Sequence, residues 1–184
     1  TSRRCCIKYV PKNCLSKELQ ELGIRFYQYT AIDEYTRIRY LWFTTAHDTY
    51  SSTEFIERVV KVFPFKIETI QTDNGFEFTN RLSWQGFMKE KKTLFEEKLK
   101  ELGINHKLIK PHTPKQNGKV ERSHRNDQKY FYDWETFRNI EELNTKLKGH
   151  LECSNNKTMR TLDYKRPMQL LSEKSEKLEL KSIH

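Results

Sequence analysis

The sequence predicts an α/β domain in which helices pack on a mixed five-stranded sheet, followed by a helical C-terminal appendage. Three observations predict it. Three β-branched and aromatic runs crowd into the first 43 residues, as in an antiparallel meander. Helical and strand patterns then alternate, which is the sign of helices laid on a sheet. The 184 residues, 12% of them aromatic, suffice for one domain with a real core plus an appendage.

In chain order, residues 3–10 form a strand that Pro11 ends, and residues 12–24 are polar with Asn13 and Ser16 as turn formers. A strong strand over 25–32 ends at Asp33, and the turn Asp33-Glu-Tyr-Thr36 leads into a partner over 37–43, giving a hairpin. Ser51-Ser-Thr-Glu54 has capping-box spacing ahead of a helix whose Phe55, Ile56, Val59, Val60 and Phe63 share a face and which Pro64 stops. A short strand runs into Asp73, residues 79–92 form an irregular insertion, and a helix with Phe95, Leu99 and Leu102 on one face ends at Gly103. Ile104–Ile109 is the last strand. The loop over 110–117 carries two prolines, and Asn117 can cap a charged helix from Gly118 to about Tyr132. A further helix over 140–152 aligns Ile140, Leu143, Leu147 and Leu151, and the Lys/Glu-rich end from Ser172 is expected to fray. The core domain is thus expected over 1–135 and the appendage over 136–184.

A net charge of +9 favours a polyanionic partner, of which nucleic acid is the usual one. Cys5, Cys6, Cys14 and Cys153 contain no CxxC pair, so they read as reduced thiols of a cytoplasmic protein. The longest apolar runs, such as Tyr40-Leu-Trp-Phe43, are too short to cross a membrane, and no signal peptide opens the chain. It begins at Thr1 without Met, so a preceding segment is expected.

The stretch Ile70-Gln-Thr-Asp-Asn-Gly-Phe-Glu-Phe78 places a carboxylate at a strand end, followed by a tight turn that Gly75 permits. A second acid, Glu121, follows in the first turn of the charged helix. Two acids held on rigid elements can bind hard divalent ions, and a pair of ions about 4 Å apart can grip a scissile phosphate. Beside Glu121 lie Lys119, Arg122, Arg125 and Lys129, the last three spaced to share a helix face that suits a phosphate backbone. Singly, these features have plainer readings: an Asp-Asn-Gly turn, an acid that complements a helix dipole, and a solvated helix face. Their coincidence favours DNA. His106, His112, His124 and Cys153 lack zinc-ligand spacing, and no Gly-rich phosphate loop is present. Tyr130, Phe131, Tyr132 and Trp134 are more suited to packing on the sheet than to stacking on bases.

Thr72-Asp-Asn-Gly75 and Pro111-x-Thr-Pro-x-x-Asn-Gly-x-x-Glu-Arg122 resemble the catalytic core of DDE transposases and retroviral-type integrases, the bacterial insertion-sequence transposases above all. Ala31-Ile-Asp-Glu-Tyr-Thr-Arg37 resembles that family's second-strand segment, and Asn155-Asn-x-x-x-Arg160-x-Leu162 through Leu170 its closing pattern. The resemblance implies a ribonuclease-H-like fold and two divalent ions, Mg²⁺ or Mn²⁺. It also implies cleavage and joining of transposon ends to target DNA by a homo-oligomer. It makes Asp73 the second catalytic acid and Glu121 the third. The first acid's place is held by Cys6, which offers a soft thiol where Mg²⁺ takes oxygen. Asp33 is a candidate replacement ligand with a plainer reading as a turn residue. The position two helical turns after Glu121, often basic in the family, is Gln128, next to Lys129.

Two functions therefore stand open: a metal-dependent transposase core impaired at Cys6, and a non-catalytic DNA-binding or assembly module. A ribonuclease-H-like nuclease of another kind is a third and weaker reading.

Overall fold

A computed structural model of the chain describes residues 2–83, 91–110 and 118–182. Five strands, β1 (Ser2–Tyr9), β2 (Tyr27–Asp33), β3 (Arg39–Thr44), β4 (Thr69–Thr72) and β5 (Asn105–Leu108), form one sheet in the order β3-β2-β1-β4-β5. The meander β1–β2–β3 is antiparallel, and β4 and β5 join in parallel beside β1, so the sheet is mixed as expected.

Alternation along the strands feeds two cores. Cys5, Tyr29 and Ala31 point to one face, where Phe55, Ile56 and Val59 of α2 (Thr49–Val62) and Phe95 and Leu99 of α3 (Leu94–Glu101) cover them. On the other face, Leu41 and Phe43 meet Phe131, Tyr132 and Phe137 together with Leu143 and Leu147 of α5 (Ile140–Asn156). Helix α4 (Gly118–Asp127) lies on this second face, and α6 (Pro167–Ser182) follows α5.

Some local details depart from expectation. Within the polar stretch after β1, Ser16 caps a short helix, α1 (Lys17–Glu21), by accepting from Leu19 N. Helix α2 starts a turn before the Ser51 capping box because Asp48, as good a cap, accepts from Ser51 N at 2.8 Å. The capping box appears instead on α3, between Thr93 and Glu96. Helix α4 continues into a widened turn, Gln128–Tyr132, in which Asp133 N bonds back to Gln128 O. That turn buries Phe131 and Tyr132 and leaves Tyr130 and Trp134 exposed, which splits the aromatic quartet. Helix α6 runs on to Ser182 where fraying was expected from Ser172. Half of the 79–92 insertion (84–90) and the proline loop over 111–117, Asn117 included, lie outside the described residues.

A polar network crosses the second core. Arg39 Nη1 on β3 grips both oxygens of Asp127 at 2.8 and 3.0 Å and also donates to Ser123, and its Nη2 donates to Ser154 at 2.8 Å. Gln28 and His150 also reach Asp127, at 3.1 and 2.9 Å. Asn155 at the end of α5 takes both backbone groups of Arg39: its Oδ1 accepts from the amide and its Nδ2 donates to the carbonyl, each at 3.0 Å. The C-terminal helical segment is thereby tied to edge strand β3.

His124 lies in the same layer, its Nε2 3.1 Å from Thr30 Oγ1. Burial, reinforced by the positive Lys8, pushes its pKa down to about 4. The folded imidazole thus takes up a proton less readily than the unfolded one, whose pKa is about 6.5. Its contribution to stability is complete above that value and is lost as the pH falls toward 4. Between pH 7 and 4.5 the parent is expected to lose roughly 2–3 kcal/mol more than a His124→Gln variant in denaturant unfolding. Equal losses in the two proteins would remove His124 from this role.

Candidate active site

The parallel pairing of β1 with β4 builds the centre of the site. Arg4 lies level with Gln71, and the register continued by two residues sets position 6 beside position 73. Cys6 Sγ accordingly lies 3.8 Å from Asp73 Oδ2, with the Ile7 carbonyl oxygen at 3.6 Å. The strand ends at Thr72, so the half-buried Asp73 sits where the chain turns. Its other oxygen accepts from Gly75 N at 3.2 Å, and Asn74 Nδ2 donates to the Ile109 carbonyl at 2.8 Å, which ties the turn to the end of β5. The Glu77 carboxylate is folded against Gly75 so closely that a Cβ there would meet it at 2.3 Å. A side chain at position 75 would therefore displace Glu77, which pairs with His47 at 3.2 Å.

Helix α4 covers this point. Val120 packs with Cys6 and Ile32 in a small buried cluster, and Glu121, the next residue, is exposed. The structure thus brings Cys6 and Asp73 together and anchors Glu121 one residue from a side chain packed on Cys6. Arg122, Arg125 and Lys129 are all exposed, and Lys119 Nζ faces Glu34 Oε1 at 3.6 Å. Lys129 extends over the ring of exposed Tyr130 at 5.2 Å, and Lys157 reaches the same ring at 5.1 Å.

Asp33 is not brought to this centre. It pairs with Arg3, three residues before Cys6 and on the opposite sheet face. Both side chains are fully buried, and the second Asp33 oxygen accepts from Thr36 N and Oγ1 at 2.8 and 2.7 Å. Its carboxylate is occupied in fixing the β2–β3 turn.

Asp73 and Glu121 supply the hard oxygens that Mg²⁺ or Mn²⁺ takes, whereas Cys6 supplies a thiol. Among the described residues no group of three or more His, Cys, Asp and Glu side chains is arranged to hold a metal. The donor set at these three positions does not fit a pair of Mg²⁺ ions.

Sequence reasoning did not single out Arg4, Glu34 and Arg37 as site residues. Arg4 Nε bonds Glu34 Oε1 at 2.5 Å, so Arg4 and Lys119 share one carboxylate, whose charge also acts on Arg37. The available signal was an arginine, rather than a glycine, as the last residue of a tight hairpin turn.

Comparison with known proteins gives a consistent picture. A family model described as Integrase core domain matches residues 6–114, and a second of the same description matches 102–157. A protein of Spiroplasma virus SpV1-C74 named "Putative integrase ORF3" is 29% identical over 191 aligned positions, which cover 92% of this chain. The chain spans about half, 53%, of that relative's length. Among solved structures, the catalytic core domain of BIV integrase superposes with a TM-score of 0.65 at 16% identity, covering 97% of each chain. A chain of the simian T-cell lymphotropic virus intasome in complex with PP2A regulatory subunit B56 gamma gives a TM-score of 0.68 at 17% identity, covering 92% of this chain and 53% of that one. The fold is the ribonuclease-H-like fold of integrase catalytic cores.

Proposed function

Because the chain belongs to the integrase core domain family, we propose that it is the core domain of a transposase, built for DNA cleavage and strand transfer and weakened in that chemistry by Cys6. The observation that carries this reading is the Cys6 thiol, 3.8 Å from Asp73, in a fold whose other parts suit DNA. Asp73 and Glu121 keep their oxygens for a divalent ion, while the first-strand position offers sulfur. Arg122 and Arg125 project from the helix that carries Glu121, and Lys129 from the widened turn that continues it, so a phosphate backbone gripped there would lie along the acid pair. Transposon ends and target DNA are the substrates that this reading implies. A homo-oligomer on DNA follows from the same reading, and its reduced cysteines suit the cytoplasm. No helix among the described residues is long and apolar enough to cross a membrane. The same thiol favours a second reading, a DNA-binding or assembly module without catalysis.

DNA binding as a function of salt, measured beside nicking in Mg²⁺ or Mn²⁺, tests the proposal. Affinity should fall linearly with salt on logarithmic axes, as for a protein that neutralises phosphates. Asp73→Asn should leave affinity within about twofold and abolish whatever metal-dependent nicking the parent or a Cys6→Asp background shows. Nicking that survives Asp73→Asn removes Asp73 from the catalytic role, and salt-independent binding removes the phosphate contacts.

A further inference from the structure

The turn between β2 and β3 holds an arginine under strain. Asp33 N bonds the Ile38 carbonyl and Arg37 N bonds the Asp33 carbonyl, each within 3.1 Å, and the Asp33 carboxylate locks Thr36. Closing this turn forces Arg37 to φ 62°, in the left-handed region where glycine is favoured. Among the described residues, Arg37 Nη1 is a buried donor without a hydrogen-bond partner. A residue held in this backbone region with a buried donor left open is a candidate for a ligand contact.

Its surroundings name the ligand class. Arg4 and Lys119 converge on Glu34, at 2.5 and 3.6 Å. Burial lowers the proton affinity of Arg37, Glu34 opposes this, and the positive charges of Arg4 and Arg122 lower it further. Arg4 and Lys119 thus share Glu34, whose charge also acts on Arg37, and Arg122 adds its charge beside Arg37, so an anion would relieve their mutual repulsion. The cluster also lies beside the acid pair, because Arg4 shares a face of β1 with Cys6, and Lys119 and Arg122 flank Glu121 on α4.

We propose that Arg4, Arg37, Lys119 and Arg122 form a binding site for a nucleic-acid backbone phosphate next to Asp73 and Glu121, with Arg37 supplying the buried donor. The proposal rests on the DNA reading above and identifies groups that would hold a phosphate against the site.

Arg37→Gly separates this role from a structural one, because glycine accepts the left-handed backbone and removes only the side chain. Binding of a short fluorescent duplex of mixed sequence would be followed across a salt series, with thermal unfolding of the same samples. The variant should melt at or above the parent temperature, bind the duplex about tenfold more weakly, and lose about one unit of salt slope. Unchanged affinity and slope would overturn the phosphate site while leaving the DNA reading intact. A lowered melting temperature would overturn it too, by making Arg37 a prop of the turn. A parent that binds no DNA at any salt would overturn the DNA reading and this site together.

Discussion

Replacing Arg39 by methionine is expected to destabilise the fold by about 3–5 kcal/mol, the cost of leaving one partner of a buried ion pair behind. Arg39 and Asp127 are 7% and 1% exposed, so solvent cannot compensate for the missing charge. Burial alone would raise the Asp127 pKa, but the hydrogen bond from His150 and the charge and hydrogen bonds of Arg39, with Gln28, hold it well below the usual carboxylate range. A depressed folded pKa means stability that is present above the unfolded value near 4 and lost as pH falls through the folded one. Without Arg39 the carboxyl pKa should rise, and stability should depend less on pH in acid. The measurement is urea unfolding at neutral and acidic pH, with Arg39→Met combined with Asp127→Asn as the control. The double variant should recover part of the loss by removing the stranded charge. A single variant within about 1 kcal/mol of the parent would show that the pair is dispensable.

The second large effect is a gain. Cys6→Asp is expected to raise Mn²⁺-dependent nicking of pre-nicked or branched DNA ends on the order of a hundredfold or more, as a hard oxygen replaces the thiol. The same change has a signature independent of catalysis. A carboxylate at position 6 would face Asp73 across the gap that now separates sulfur and oxygen by 3.8 Å, in a pocket closed by Val120 and Ile32. Two like charges there repel, so the variant should melt below the parent in chelator and recover when Mn²⁺ is added. Melting that ignores Mn²⁺, with no nicking, would mean that Asp73 and Glu121 no longer form a metal site. Equal nicking by parent and variant would show that Cys6 is not the lesion.

The sequence made the scaffold legible where side chains alternate or repeat. The strands of the meander, the helix with Phe55 and Val59, and the chain order of five strands all follow from periodicity. Helix α1 was hidden because its five residues, Lys-Glu-Leu-Gln-Glu, have too little apolar content to show a period. The start of α2 was misplaced because Asp48 and Ser51 are comparable caps, and only packing decides between them. The widened turn after Asp127 leaves no local sequence mark, since it is set by the places Phe131 and Tyr132 take in the core. At the site, Asp73 and Glu121 could be picked from motif residues, and Cys6 from its place in the first strand. The 3.8 Å approach of Cys6 to Asp73 required the parallel register of β1 and β4, which is not local information. Asp33 was attractive as an acid at a strand end, but alternation puts it on the face with Arg3. The strain at Arg37 is a backbone property, invisible until the turn closes.

The Asn155 clamp bears on how this sheet can meet another molecule. By giving one acceptor and one donor to Arg39, the amide imitates a neighbouring strand for the length of a single residue. A foreign strand aligning on β3 would have to dislodge it, and with it a helix seated on Leu143 and Leu147. The end of α5 is thus a guard against runaway sheet growth, and a fragment that stopped at residue 135 would lose it. Where copies of such a domain crowd together, an open strand edge is most hazardous, and the guard leaves them to meet through side chains.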